Sequence, residues 1–120
     1  MSKQERIEQV LDELRTNMPD IRSAIVASPD GLLVAERGAG DTASRLAAMA
    51  ATALGLGRRI AQTAQTGEFD ELVVRGKSGY LAVFAVGNRA ILALTLPEGG
   101  NLGLLRLEAE SAVKRVLEEL

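Results

Sequence analysis

The chain has 120 residues, of which 47% are hydrophobic and 25% are charged, values typical of one globular domain. Its formal net charge is −2 and no basic cluster concentrates positive charge, so nothing favours nucleic-acid binding. Histidine and cysteine are both absent, which removes the usual general base, thiolate nucleophile and zinc ligands and disfavours an enzyme or a metal protein.

The first predicted element is an amphipathic helix that ends before Pro19. Ser2 and Glu5 have the spacing of a capping box, in which each side chain accepts a hydrogen bond from the backbone N–H of the other. The apolar residues behind this cap recur at intervals of three and four, so they form one buried stripe. They are Ile7, Val10, Leu11 and Leu14.

A β-hairpin and a long helix follow. The predicted strands, Ile21 to Ala27 and Leu32 to Glu36, flank the tight turn at Pro29-Asp30-Gly31. The second helix is predicted to begin after a cap at Asp41 or Thr42 and to run to about Gln65, with Gly67 as the C-terminal glycine.

Three strands and a last helix complete the chain. They are Glu71 to Arg75, Tyr80 to Val86, Ile91 to Leu96 and a helix from about Leu102 to Leu120. Short turns between neighbouring strands predict an antiparallel sheet, and the nearly all-apolar fourth and fifth strands are typical of strands covered on both faces. The predicted fold class is therefore α/β (α+β), a three-layer sandwich with a five-stranded sheet and the order α-β-β-α-β-β-β-α.

The second helix has small residues on both sides. The broad face predicted to cover the sheet consists of Leu46, Ala50, Ala53, Leu54, Gly57, Ile60 and Ala64. The opposite side carries Ala48, Ala51 and Gly55 near its middle, where a helix lying on a sheet is normally charged. Alanine is simply a good helix former, but an interior glycine costs roughly 1 kcal/mol, so we interpret this side as a contact for the same helix of a second copy.

Arg45, Arg58, Arg59 and Gln62 border that small-residue side. They are either ordinary solvated side chains or the cationic part of a docking surface.

Gly76-Lys77-Ser78 has the sequence of a phosphate-loop ending, but Glu71 stands where that motif needs glycine and the segment joins two strands. We therefore predict a hairpin turn and no nucleotide cofactor.

The element order and three segments together resemble the roadblock/dynein light chain family, in particular its stand-alone prokaryotic, MglB-like members. The segments are Ser28-Pro29-Asp30-Gly31-Leu32-Leu33-Val34-Ala35, Leu46-Ala47-Ala48-Met49-Ala50 and Asn101-Leu102-Gly103-Leu104-Leu105-Arg106. The resemblance implies a profilin-like sandwich, a homodimer formed by the second helix and the third strand, a small Ras-like GTPase as partner and no catalytic residues. Pairing of the third strand with its twin would also cover an open strand edge.

Two sets of site residues follow from the helix pattern and the resemblance. The predicted dimer interface is Ala48, Ala51, Thr52, Gly55, Glu71, Val73 and Arg75, and the predicted partner-binding residues are Arg45, Arg58, Arg59 and Gln62. The leading hypothesis is a non-catalytic homodimeric adaptor or regulator of such a GTPase, without a cofactor. The alternative is a small-molecule or signal-sensing module of the same fold. Residues 1–120 are expected to form a single domain in the cytoplasm, because no linker, signal peptide or disulfide framework is evident.

Overall fold

The computed structural model describes residues 1–120 and has the predicted order of elements, α-β-β-α-β-β-β-α. The elements are α1 (Lys3–Asn17), β1 (Ser23–Ala27), β2 (Leu33–Arg37), α2 (Ala43–Thr63), β3 (Glu71–Gly76), β4 (Gly79–Val86), β5 (Ala90–Pro97) and α3 (Leu102–Glu119). A short 3-10 turn precedes α2. No helix combines the length and apolar character needed to cross a membrane.

The five strands form one antiparallel sheet in the order β2-β1-β5-β4-β3. β5 therefore lies at the centre and pairs with β1, from which it is far removed in the chain. β2 and β3 are the two edge strands, and β3 is paired only with β4. One side of β3 thus presents unpaired backbone groups, which makes it a natural place for another strand to add.

Helices cover both faces of the sheet, which confirms the predicted three-layer sandwich. Successive residues of β5 point to opposite faces, so Leu92 and Leu94 join the core under α1 and α3, whereas Ile91 and Ala93 join the core under α2. The predicted stripe of α1 is entirely buried in the first core, and the capping box between Ser2 and Glu5 is present.

The start of α2 differs from the prediction that a side chain of Asp41 or Thr42 would cap it. Thr42 is the residue at the N-cap, but its hydroxyl donates to the carbonyl of Ala39 (2.8 Å) and caps no helical N–H. Instead, the carboxylate of Glu36 accepts hydrogen bonds from the backbone N–H groups of Ala39 (3.1 Å) and Gly40 (3.4 Å). A side chain of β2 thereby holds the turn that leads into α2.

The end of α2 also differs from the prediction that Gly67 would terminate it. Gln65 adopts the left-handed conformation (φ 58°). The N–H of Gln65 donates to Gln62 (3.2 Å) and that of Thr66 to Ala61 (3.0 Å), the pattern of a Schellman motif. Gly67 also has a positive φ (96°), but it lies beyond this motif, in the loop to β3.

We expect Gln65→Gly to raise the free energy of unfolding by about 1 kcal/mol, because glycine has no Cβ to disfavour a left-handed backbone. Urea denaturation of both proteins at one concentration would measure the change. Gln65→Ala is the matched control, since it shortens the side chain but keeps the Cβ, and it should give no comparable gain. Equal stabilisation by both variants would attribute the effect to the glutamine side chain instead.

Candidate interaction surface

The buried face of α2 is rotated relative to the one predicted. Its centre is formed by Ala43, Ala47, Ala50, Leu54 and Gly57. The prediction was correct for Ala50, Leu54 and Gly57 but wrong for Ile60 and Ala64, which are exposed. A broad apolar sector on a helix cannot by itself show which part meets the sheet, because that depends on how the helix axis crosses the strands.

Four large apolar side chains are left open to solvent beside the β3 edge. Met49, Leu56 and Ile60 are 61%, 57% and 55% exposed, and their spacing of seven and four places them on one line along α2. Val74 of β3 is also 55% exposed, and it lies on the α2 side of the sheet because Leu72, two residues earlier, packs into that core. We call these four residues the apolar flank.

The apolar flank is continuous with the start of β3. Ile60 lines a shallow groove together with Phe69 and Leu72, so the helix and the edge strand border the same surface depression. An exposed apolar line next to an unpaired strand edge is unusual for a monomeric protein and is typical of a protein–protein contact.

The small residues on the other flank of α2 have a cause within the chain. A Cβ added to Gly31, in the turn between β1 and β2, would lie 3.0 Å from Ala48 Cα and 3.3 Å from Ala51 Cβ. Ala48 and Ala51 therefore let this turn approach α2, and their size is not evidence for a second helix. Gly55 has no such explanation, because a Cβ there would meet nothing within 4 Å.

The two glycines inside α2 should respond oppositely to alanine. Gly55→Ala should raise the free energy of unfolding by about 0.5–1 kcal/mol through helix propensity. Gly57→Ala should lower it by about 1 kcal/mol, because the new Cβ would lie 2.5 Å from Phe69 Cε1. Urea denaturation at one protein concentration would compare them. A loss of stability at Gly55 would instead support the close approach of a second helix predicted from the sequence.

The three β3 residues predicted at the dimer interface lie on the sheet face opposite α2. Val73 is half-buried against the core under α1 and α3. The carboxylate of Glu71 accepts from Arg106 Nε of α3 (2.8 Å), and this hydrogen bond raises the pKa of the Arg106 guanidinium. Arg75 lies over the ring of Tyr80, 5.8 Å from its centroid. The predicted interface thus divides between one flank of α2 and the far side of β3, and its contact with a second copy stays a prediction.

The four predicted partner-binding residues do not form one cluster. Arg58 and Gln62 line an open groove of about 790 Å³, where Arg58 donates to the carbonyl of Gly87 (3.2 Å). Arg59 lies elsewhere, beside Leu56 and Ile60. Arg45 is fourteen residues before Arg59, or roughly 21 Å along the helix axis.

The charged residues of α2 are nevertheless all cationic. The helix contains no acidic residue, and none of its three arginines takes part in an ion pair. The groove beside Arg58 also includes Gln65, Phe69 and Asn88, which the sequence did not mark as site residues. They lie in the loop after α2 and in the turn between β4 and β5, so no periodic pattern could have connected them to Arg58.

The segment with the sequence of a phosphate-loop ending is a hairpin turn, as predicted. Lys77 and Ser78 are the two residues between Gly76 and Gly79, which are paired across β3 and β4. No helix begins there, so no row of helical N–H groups is available to bind a phosphate.

Comparison with known proteins agrees with this architecture. The family model of the Roadblock/LC7 domain matches residues 7–96. A Roadblock/LC7 domain from Streptomyces avermitilis superposes with a TM-score of 0.84 at 28% identity, covering 91% of this chain and 92% of that one. MglB from Myxococcus xanthus gives a TM-score of 0.84 at 21% identity, covering 96% and 87%.

A profilin from Schizosaccharomyces pombe also shares the fold, with a TM-score of 0.69 at 14% identity and coverage of 92% of this chain and 96% of that one. The sequence has no significant match among curated proteins. Because the family model spans most of the sheet and the first two helices, from α1 to the end of β5, the chain belongs to the Roadblock/LC7 family.

Proposed function

We propose that the protein is a non-catalytic homodimeric adaptor or regulator that binds and modulates or scaffolds a small Ras-like GTPase. We further propose that residues 1–120 act as one domain and that the protein works in the cytoplasm. Members of the Roadblock/LC7 family are non-catalytic adaptors or regulators. The single observation that carries the proposal is the exposed apolar flank beside the unpaired edge of β3.

The dimer contact has two parts. At the edge, β3 of one copy pairs with β3 of the other through Glu71, Val73 and Arg75, so that two five-stranded sheets become one. Beside it, a two-fold axis through this seam brings the two apolar flanks towards each other, with Thr52 next to them on the exposed side of α2. Burying these side chains supplies the hydrophobic driving force that edge pairing alone lacks.

The GTPase-binding surface is proposed on the cationic side of α2. Arg45, Arg58, Arg59 and Gln62 remain the predicted contacts, with Arg58 and Gln62, which share a groove, at their centre, and the two-fold axis supplies a second copy of each. Arginines without acidic partners suit the acidic and phosphate-adjacent surfaces around the switch regions of a GTPase.

Titration of a Ras-like GTPase from the same organism, loaded with GDP or with a GTP analogue, tests this proposal. We expect binding, with unequal affinities for the two nucleotide states if the switch regions form the contact. Absence of binding in both states would remove that GTPase as the partner. It would direct attention to the alternative function, ligand sensing, for which the open groove beside Arg58, of about 790 Å³, is the first candidate site.

A further inference from the structure

We propose that two copies of the chain pair through β3 in one register only, with Val73 opposite Val73 and Glu71 opposite Arg75 of the second copy. The inference rests on the proposed homodimer and adds the alignment of its seam and the charge pair that selects it. Three independent features of β3 carry it: the direction of its backbone groups, the sheet face of each side chain, and the symmetric placement of its two charges.

The hairpin between β3 and β4 determines which backbone groups face the open edge. A two-residue turn closes on a pair that exchanges both backbone hydrogen bonds, here Gly76 with Gly79, and such pairs alternate along an antiparallel ladder. The backbone N–H and C=O groups of Leu72 and Val74 therefore form hydrogen bonds with β4. The N–H and C=O groups of Glu71, Val73 and Arg75 point to the open edge.

Symmetry then limits the possible registers. A two-fold axis perpendicular to the sheet keeps each α2 on the same face, so residues that meet across the seam must come from the same face of β3. The axis can pass at Leu72, Val73 or Val74. Only an axis at Val73 pairs all three edge-facing residues of β3 with one another, which makes the most backbone hydrogen bonds.

The side chains favour the same register. With the axis at Val73, Glu71 meets Arg75 of the second copy at both ends of the seam, and opposite charges across paired strands are stabilising. The two oxygens of the Glu71 carboxylate accept hydrogen bonds from Arg106 Nε (2.8 and 2.9 Å) and retain lone pairs for a second arginine. On the α2 side, Leu72 meets Val74, which extends the apolar flank into the seam.

The other two registers lose these contacts. With the axis at Val74, Arg75 faces Val73 and Leu72 faces Gly76, although Lys77 then comes opposite Glu71. With the axis at Leu72, Glu71 faces Val73 and Arg75 extends beyond the start of the partner strand. Lys77 therefore distinguishes the register with the axis at Val74, in which it faces Glu71, from the proposed register, in which it does not.

Single-cysteine crosslinking tests the register directly, because the chain contains no cysteine. Val73→Cys places two thiols on residues whose Cα atoms are about 5.5 Å apart, within disulfide range. In the Leu72→Cys and Val74→Cys variants, the two equivalent cysteines are diagonal neighbours across the seam. Their Cα atoms are about 8 Å apart, beyond disulfide range. We expect the Val73 variant to crosslink at least tenfold faster than the other two under mild oxidation, and a mixture of the Leu72 and Val74 variants to form the mixed disulfide.

Charge reversal gives a second readout in the intact dimer. Arg75→Glu should raise the dimer dissociation constant about tenfold, since it places like charges at both ends of the seam. Lys77→Glu, the matched control in the adjoining turn, should change it less than about threefold. A larger increase in the dissociation constant for Lys77→Glu than for Arg75→Glu would indicate that the axis lies at Val74.

The outcomes separate the register from the dimer itself. Dominant crosslinking at position 72 or 74 would overturn the register while leaving β3 pairing in place. If the wild type sediments as a dimer but none of the three cysteine variants crosslinks, the β3 seam is excluded altogether. A monomeric wild type would contradict both this inference and the proposed homodimer.

Discussion

Replacing Leu56 with glutamate is expected to convert the protein from a dimer to a monomer. Leu56 lies between Met49 and Ile60 in the apolar flank and is 57% exposed in the single chain, so the substitution costs little in the isolated fold. In the proposed dimer the new carboxylate would be buried without a partner, and the two-fold axis would place two of them there. An unpaired buried charge costs about 3–5 kcal/mol, which corresponds to a loss of affinity of more than a hundredfold.

Sedimentation velocity over a range of concentrations would measure this change, with circular dichroism to show that the fold is intact. Gly55→Glu is the matched control, because it adds the same charge one residue away, at a position with open space around its Cβ. We expect it to remain a dimer, because the contact proposed above is formed by the apolar flank and β3 and not by the side of α2 that carries Gly55, which the sequence analysis had predicted. If Gly55→Glu dissociates and Leu56→Glu does not, the contact lies on the small-residue flank that the sequence analysis predicted.

Replacing Arg58 with glutamate should weaken GTPase binding about tenfold without changing the dimer. Arg58 lines the groove beside Gly87, away from the apolar flank, so reversing its charge acts on the partner alone. The effect should appear mainly in the association rate and should shrink at high salt, as for other charges at the rim of an interface. Changing Arg58 and Arg59 together is less informative, because Arg59 borders Leu56 and Ile60.

Surface plasmon resonance at two salt concentrations would resolve this rate effect. Lys114→Glu is the control: it makes the same change in net charge on α3, on the other side of the sheet, where the lysine side chain is 74% exposed. It should bind the GTPase like the wild type. Equal weakening by both variants would mean that net charge rather than a local contact governs binding, and no weakening by Arg58→Glu would move the contact away from this groove.

Features that depend on neighbours in the chain could be read from the sequence. The stripe of α1, its Ser2–Glu5 capping box and the hairpin turn at Lys77 and Ser78 all involve residues within one or two turns of each other. Their periodicity and turn chemistry therefore determine them before any tertiary contact forms. The apolar character of β4 and β5 likewise required cover on both faces, and hence three layers.

Other features were decided only by contacts between distant segments. The pairing of β1 with β5, which makes β3 an open edge, joins residues about seventy positions apart. Gln65 rather than Gly67 ends α2, because the hydrogen bonds from Gln65 to Gln62 and from Thr66 to Ala61 close the helix two residues before the glycine. No local pattern contains this information.

The candidate surface shows the same division. The sequence by itself determined that α2 is a long helix, free of acidic residues, with more apolar and small positions than one sheet contact requires. The tertiary structure decided what each of those positions does. Gly31 lies against Ala48 and Ala51, whereas Met49, Leu56 and Ile60 remain exposed. The physical reason is that helical periodicity places residues around an axis, but the rotation of that axis against the sheet depends on packing across the whole domain.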